Sequence, residues 1–220
     1  VTGFFLSFEG VDGVGKTTQL ERLVARLRQA GCEPVIAQEP GGTRIGADIR
    51  RILLNARNAD LDPVAELLLY FASRAQNIAE VIRPALEQNK LVICDRFTDA
   101  TLAYQGYGRE LGAEAVRAIE KVACGGLQPD LTVWLDLDPG LGVGRALDRE
   151  AGHAPDVDET RMEREGREFF ARVLEGYQAI HAAAPQRFRR INAAQTVEEV
   201  EADILELLRP LLSERLGVKV

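Results

Sequence analysis

No stretch of the sequence approaches the roughly 18 apolar residues of a membrane helix; the longest apolar runs lie near Leu67–Ala72. The chain carries Cys32, Cys94 and Cys124, an odd number without CxxC spacing. That excludes a disulfide framework and a thiolate zinc site, and points to reduced thiols in a cytoplasmic protein. His153 and His181 have no partner at metal-ligand spacing, so both are expected to be exposed or locally satisfied. Val1–Leu6 lacks the basic leader of a signal peptide. No internal repeat, linker or low-complexity tract interrupts the chain.

Basic residues are outnumbered, 27 to 34, for a net charge of −7. A nucleic-acid binder needs a basic face to release counterions, so none is expected as partner. Lysine is scarce: apart from Lys16, Lys90, Lys121 and Lys219 the basic set is Arg, whose planar fork grips phosphate and carboxylate. With 46% hydrophobic and 28% charged residues the composition is that of a globular protein, not of a disordered or fibrous one. Its 220 residues suffice for one domain that needs no disulfide or structural metal.

Apolar strands alternate with amphipathic segments. Strands are expected at Phe4–Phe8, Pro34–Gln38, Leu91–Cys94, Leu131–Leu135 and Phe188–Ile191. Helices are expected over Thr18–Ala30, Ile45–Leu54, Val64–Glu87 with a break near Pro84, around Ala100, and over Ala113–Ala123. Three more should cover Gly140–Asp148, Met162–Ala183 and Val197–Leu212. Leu91–Cys94 has no polar face, so both its sides should be covered. The pattern implies an α/β fold: three layers, with a five-stranded parallel sheet between helices. The single domain should carry a lid excursion at about residues 146–163, where Gly, Pro and Asp accumulate.

Gly10-Val11-Asp12-Gly13-Val14-Gly15-Lys16-Thr17 matches G-x-x-x-x-G-K-[ST] between a strand and a helix, and Thr18 begins that helix. The glycines let backbone N–H groups turn onto phosphate oxygens, and the helix N-terminus adds positive potential. Lys16 can neutralise the β- and γ-phosphates, and the Thr17 hydroxyl can ligate Mg²⁺. A nucleoside triphosphate is therefore the expected ligand. A regulatory GTPase would carry N-K-x-D, but Asn89-Lys90 runs into a strand. The Gly125–Gln128 segment does not supply a transporter signature. A nucleotide kinase needs a second phosphate-gripping site and a lid with arginines, and both are available. Asp95-Arg96 ends the third strand, where ligands bind in open α/β sheets. Asp95 can hold Mg²⁺ through water, and Arg96 can bridge the two phosphate chains.

Here the chain resembles the bacterial thymidylate kinases. The likeness lies in Glu39-Pro40-Gly41-Gly42-Thr43, Phe71-Ala72-Ser73-Arg74, Asp95-Arg96-Phe97-Thr98-Asp99, Ala103-Tyr104-Gln105-Gly106 and Gln128-Pro129-Asp130-Leu131-Thr132. It implies transfer of the γ-phosphoryl of ATP to dTMP, with Mg²⁺, in a homodimer. It makes Tyr70 the ring that stacks on thymine and Arg74 a donor to a thymine carbonyl. Thr101 and Gln105 would bond the pyrimidine edge, and Tyr104 would pack by the deoxyribose. Arg50 would hold the dTMP phosphate with Arg96, Glu39 would line the pocket, and Asp12 would sit near the 3′-hydroxyl or the metal. Spacing agrees in part: Tyr70 and Arg74, like Thr101 and Gln105, are four apart and share a helix face.

The chain departs from the family pattern at Gln38 and at Thr160 in the lid motif Thr160-Arg161-Met162-Glu163, and residue 13 is Gly where eukaryote-like forms of the family carry Arg. The resemblance implies that an arginine must then reach the phosphates from the lid. Arg161 is the first choice and Arg149, with Arg145 one turn before it, the second; Arg164 and Arg167 are expected on the surface. Asn192–Thr196 is either the family's adenine-contacting loop or a connector capped by Thr196. Two other readings stay open: a kinase of another nucleoside monophosphate, and a nucleotide-binding regulator that hydrolyses slowly.

Overall fold

The computed structural model describes residues 3–138, 140 and 159–218. All of the expected Gly140–Asp148 helix beyond Gly140, with Arg145, Arg149, His153 and most of the lid excursion, lies outside the described residues.

The strands are β1 (Phe4–Glu9), β2 (Val35–Gln38), β3 (Leu91–Asp95), β4 (Leu131–Asp136) and β5 (Phe188–Asn192). They pair in parallel in the order β2-β3-β1-β4-β5. The chain leaves β1 toward β2 and β3 on one side and toward β4 and β5 on the other. That reversal opens a crevice at the carboxyl ends of β1 and its neighbours.

The alternation of β1 explains why it reads as a continuous apolar run. Phe4, Leu6 and Phe8 enter one core with Leu91, Ile93, Val133 and Leu135; Phe5 enters the other with Val92 and Cys94. Each large apolar side chain so buried contributes about 1.5–3 kcal/mol. The first core is closed by α1 (Lys16–Gln29), α7 (Arg167–Ala183) and α8 (Val197–Leu216), through Leu23, Leu27, Val173, Tyr177, Ile204 and Leu208. The second is closed by α3 (Pro63–Asn77), α4 (Arg83–Glu87) and α6 (Ala113–Cys124), through Leu67, Phe71, Leu86 and Val116. The helix α2 (Arg44–Leu54) lies on α3, and the short α5 (Thr98–Thr101) follows β3.

Three boundaries differ from the sequence reading. The helix expected from Met162 begins only at Arg167, because Gly166 is extended (φ −72°, ψ 165°) and residues 161–165 form turns and a bend instead. The break near Pro84 is preceded by a π-helical turn, Ile78–Ile82. Pro84 has no N–H and its ring crowds the carbonyl four residues back, which the wider turn relieves. The last helix runs on to Leu216 through Pro210 and stops at left-handed Gly217 (φ 68°). Its first turn is a capping box: the Thr196 hydroxyl accepts from the Glu199 N–H, and the Glu199 carboxylate accepts from the Thr196 N–H at 2.9 Å.

Candidate active site

A cavity of about 640 Å³ opens at the carboxyl ends of β1, β2 and β3. The loop between β1 and α1 forms one wall. Gly10 has φ 137°, and a Cβ there would stand 2.5 Å from the Leu135 carbonyl oxygen, so only glycine lets the loop leave the sheet at that angle. Gly15, left-handed at φ 97°, caps α1 and starts the helix with its free N–H groups toward the cavity. Val11 and Val14 turn their side chains into the core beneath. Asp12, Gly13, Gly15, Lys16, Thr17 and Thr18 line the cavity.

Lys16 is buried and donates to the Gly10 and Val11 carbonyls at 3.0 and 2.9 Å. Burial and the nearby Arg96 charge push its pKa down; Asp12, 3.8 Å away, opposes them. The ammonium is thus held inside the loop, where an incoming phosphate chain would replace costly proximity to Arg96 with attraction.

The opposite wall comes from α3, α5 and the π-helical turn Leu102–Gly108 that continues α5. Tyr70, Arg74, Thr101, Tyr104 and Gln105 reach the cavity from it, with Glu39 and Arg50 from the β2–α2 side. Arg74 is buried; its Nε donates to Glu39 and its Nη1 to the Thr101 hydroxyl at 2.7 Å. The cation lies 5.2 Å over the Phe71 ring and 5.3 Å over Phe97. Burial pushes the Glu39 carboxyl up, and Arg74 and Asn77 only partly offset it. Burial likewise raises Tyr70 and Tyr104, which stay neutral phenols.

Arg96 joins the two walls. Its Nη2 donates to Asp12 in the loop at 2.8 Å, and its guanidinium lies 5.1 Å over the Tyr104 ring. The residue is left-handed, at φ 69°, a conformation that costs a non-glycine residue about 1–3 kcal/mol and persists only when its surroundings enforce it. The enforcing group is Glu9, which is fully buried. One Glu9 oxygen accepts from the Phe97 N–H at 2.8 Å and the Ala100 N–H at 3.2 Å; the other accepts from the Tyr177 hydroxyl at 3.0 Å. That hydroxyl in turn accepts from Arg96 Nη1 at 3.3 Å. Sequence reasoning missed Glu9. It ends an apolar strand beside the loop, and the strand-end rule that singled out Asp95 and Arg96 applies to it equally.

Glu9 should also be legible in a pH titration. Burial raises its pKa from 4.5 to about 7, with Arg96 opposing and Asp99 reinforcing. A carboxyl raised in the folded state binds more protons there than in the unfolded chain between pH 4.5 and 7. Stability should therefore fall as pH rises through that window, by on the order of 3 kcal/mol, and level off above it. Chemical denaturation of Glu9→Gln should lack this slope; a slope equal to that of the parent protein would reject the assignment.

Two expected roles meet different surroundings. Arg161 is buried away from the cavity wall; its Nη2 stands 2.7 Å from Glu66 and its Nε donates to the Leu53 carbonyl. In this conformation it is paired with a carboxylate and not presented to the loop, because residues 159–166 fold back onto α3. Arg50 faces the cavity, and Glu159 accepts from its Nε and Nη2 at 3.1 and 2.8 Å. Asp95, at the end of β3, also lines the cavity, and its buried Oδ1 has no hydrogen-bond partner among the described residues. Such an orphaned carboxylate oxygen, in a cavity that Thr17 also lines, is suited to a hydrated Mg²⁺, which takes one or two carboxylates and leaves its other positions to water and phosphate.

A family model described as thymidylate kinase matches residues 8–204. A thymidylate kinase of Synechococcus sp. (strain JA-2-3B'a(2-13)) is 48% identical, the match covering 94% of this chain and 95% of that protein. One from Solidesulfovibrio magneticus is 48% identical, covering 94% of this chain and 100% of its own. One from Pelotomaculum thermopropionicum is 47% identical over 96% and 94%. With likeness of this extent falling on the loop, the Asp95-Arg96 strand end and the Arg74 wall alike, the chain belongs to the thymidylate kinase family.

Proposed function

We propose that this chain transfers the γ-phosphoryl group of ATP to dTMP, giving ADP and dTDP, a step toward dTTP. One observation carries the reading: Arg96 spans from Asp12 in the phosphate loop to the wall of Tyr70, Arg74, Thr101, Tyr104 and Gln105 within one cavity. A cation between two phosphate sites draws their tails together. A dTMP phosphate oxygen attacks the γ-phosphorus as the bond to the ADP oxygen breaks. That oxygen is already ionised near neutral pH, so positioning and charge neutralisation supply the acceleration and no strong base is needed.

The residues divide the work. Gly10 to Thr18 cradle the triphosphate, with Lys16 on its β- and γ-phosphates. Tyr70 stacks on thymine, Arg74, Thr101 and Gln105 read its edge, and Tyr104 packs by the deoxyribose. Glu39 holds Arg74 in place. Arg50 takes the dTMP phosphate and must exchange Glu159 for it. Thr17 and Asp95 would hold Mg²⁺, which supplies positive charge to the phosphate oxygens when bound. A lid arginine completes the neutralisation on closure, either Arg149 or Arg161 after release from Glu66.

No helix among the described residues is long and apolar enough to cross a membrane, and we place the enzyme in the cytoplasm. A homodimer is supported by the exposed Ile45 and Ile52 of α2 beside Val64 and Leu68 of α3; sedimentation should then give a mass of two chains.

A coupled assay of ADP release tests the function. Release should depend on dTMP, with dTMP preferred to UMP, CMP and AMP. Release indifferent to any acceptor would instead identify a slow hydrolase, and preference for another monophosphate would reassign the substrate.

A further inference from the structure

Glu66 lies on α3 one turn before Tyr70, fully buried, and no role in the transfer described above uses it. Its Oε1 accepts from Gln105 Nε2 at 2.8 Å and from Arg109 Nε at 3.1 Å. Its Oε2 meets Arg109 Nη2 at 3.1 Å and Arg161 Nη2 at 2.7 Å. Burial alone would raise its pKa, but Arg109, Gln105 and Arg161 together hold it below the usual carboxylate value. Glu66 is therefore an ionised group that can only accept hydrogen bonds.

This fixes what Gln105 shows to the cavity. A side-chain amide carries a donor end and an acceptor end, and a swap between them reverses what a ligand meets. Facing a carboxylate, the NH₂ end must point to Glu66. The Gln105 carbonyl oxygen is left without a hydrogen bond among the described residues, on a side chain that lines the cavity. Arg74, which lines the same cavity and donates to Thr101 four residues before Gln105, can only donate. The wall thus offers an acceptor next to a donor. Thymine presents N3–H next to O4, a donor next to an acceptor, and matches. Cytosine presents N3 next to its 4-amino group, an acceptor next to a donor, and opposes both.

We infer that Glu66 is a positioning residue for base selection: it locks the Gln105 amide so that the cavity reads the N3–H of thymine and rejects cytosine. This rests on the proposed dTMP reading. The reason a second group is needed is physical. A free glutamine can rotate its amide to suit either base, whereas one held by a charged acceptor cannot.

Glu66→Gln tests this, since a neutral amide at 66 can either accept from or donate to Gln105. The measured quantity is kcat/KM for dTMP, dUMP and dCMP. The dTMP to dCMP ratio should fall at least about tenfold. The dTMP to dUMP ratio should stay unchanged, because uracil carries the same N3–H and O4. Arg109→Lys, which keeps a cation beside Glu66 and so keeps it an ionised acceptor, should keep both ratios. Equal losses for all three substrates in Glu66→Gln would show a merely structural carboxylate and overturn the inference. A parent protein inactive on dTMP would instead sink the underlying reading.

Should Glu66→Gln fail to fold, the parent protein carries the test by NMR. The Gln105 side-chain amide protons, assigned by their loss in Gln105→Leu, should exchange slowly and stay protected when dTMP binds. Loss of that protection on binding would mean that the amide leaves Glu66, contrary to the inference.

Discussion

Arg96→Ala should lower kcat about a thousandfold while leaving the ATP KM within about threefold. In the structure its guanidinium stands between Asp12 of the phosphate loop and the Tyr104 ring. Charge on the equatorial oxygens grows as the phosphoryl group leaves ADP. A cation fixed between donor and acceptor therefore meets more charge in the transition state than in the bound ground state. ATP keeps the loop N–H groups and Lys16, so its binding should barely change. Arg96→Lys should recover only part of the rate, since an ammonium cannot bridge two groups with a planar fork. Steady-state kinetics on both variants decide it; comparable losses in kcat and ATP affinity would remove Arg96 from the bridging role.

Arg74→Met should lower stability by about 3–5 kcal/mol at neutral pH, in addition to weakening dTMP. Arg74 is 1% exposed and its partner Glu39 is 4% exposed. Without the guanidinium, Glu39 keeps only the Asn77 amide, 3.2 Å away, as a side-chain donor among the described residues. A chain of this size loses about 2–4 °C of Tm per kcal/mol, so the midpoint should fall by roughly 10 °C. Burial already pushes the Glu39 carboxyl up, so the deficit should shrink as pH falls and the bare carboxylate takes a proton. Combining Arg74→Met with Glu39→Gln should restore much of the loss, because no unpaired charge remains. A single variant melting within about 2 °C of the parent would mean that the pair carries little of the fold.

How much of this was legible beforehand follows the range of each interaction. The phosphate loop is a run of consecutive residues between a strand and a helix, and its glycines, Lys16 and Thr17 act over one turn of chain. The helix face bearing Tyr70 and Arg74 is set by spacing four, and extending the same spacing backward reaches Glu66. That residue was overlooked because a glutamate on an amphipathic helix ordinarily faces water, and nothing local says that Arg109 and Arg161 converge on it. Glu9 was hidden for a similar reason: its partners Phe97, Ala100 and Tyr177 are 88 to 168 residues away.

Residue order alone settled the parallel sheet, the loop and the family, since periodicity and contiguous motifs are short-range properties of a chain. Which charges confront each other was left to the folded state. Arg96 on Asp12, Arg74 on Glu39, Arg161 on Glu66 and Arg50 on Glu159 are pairings across elements, and an arginine reads the same in a sequence whether it meets phosphate or carboxylate. Only packing, by bringing remote segments within a few ångströms in a place poor in water, chooses between them.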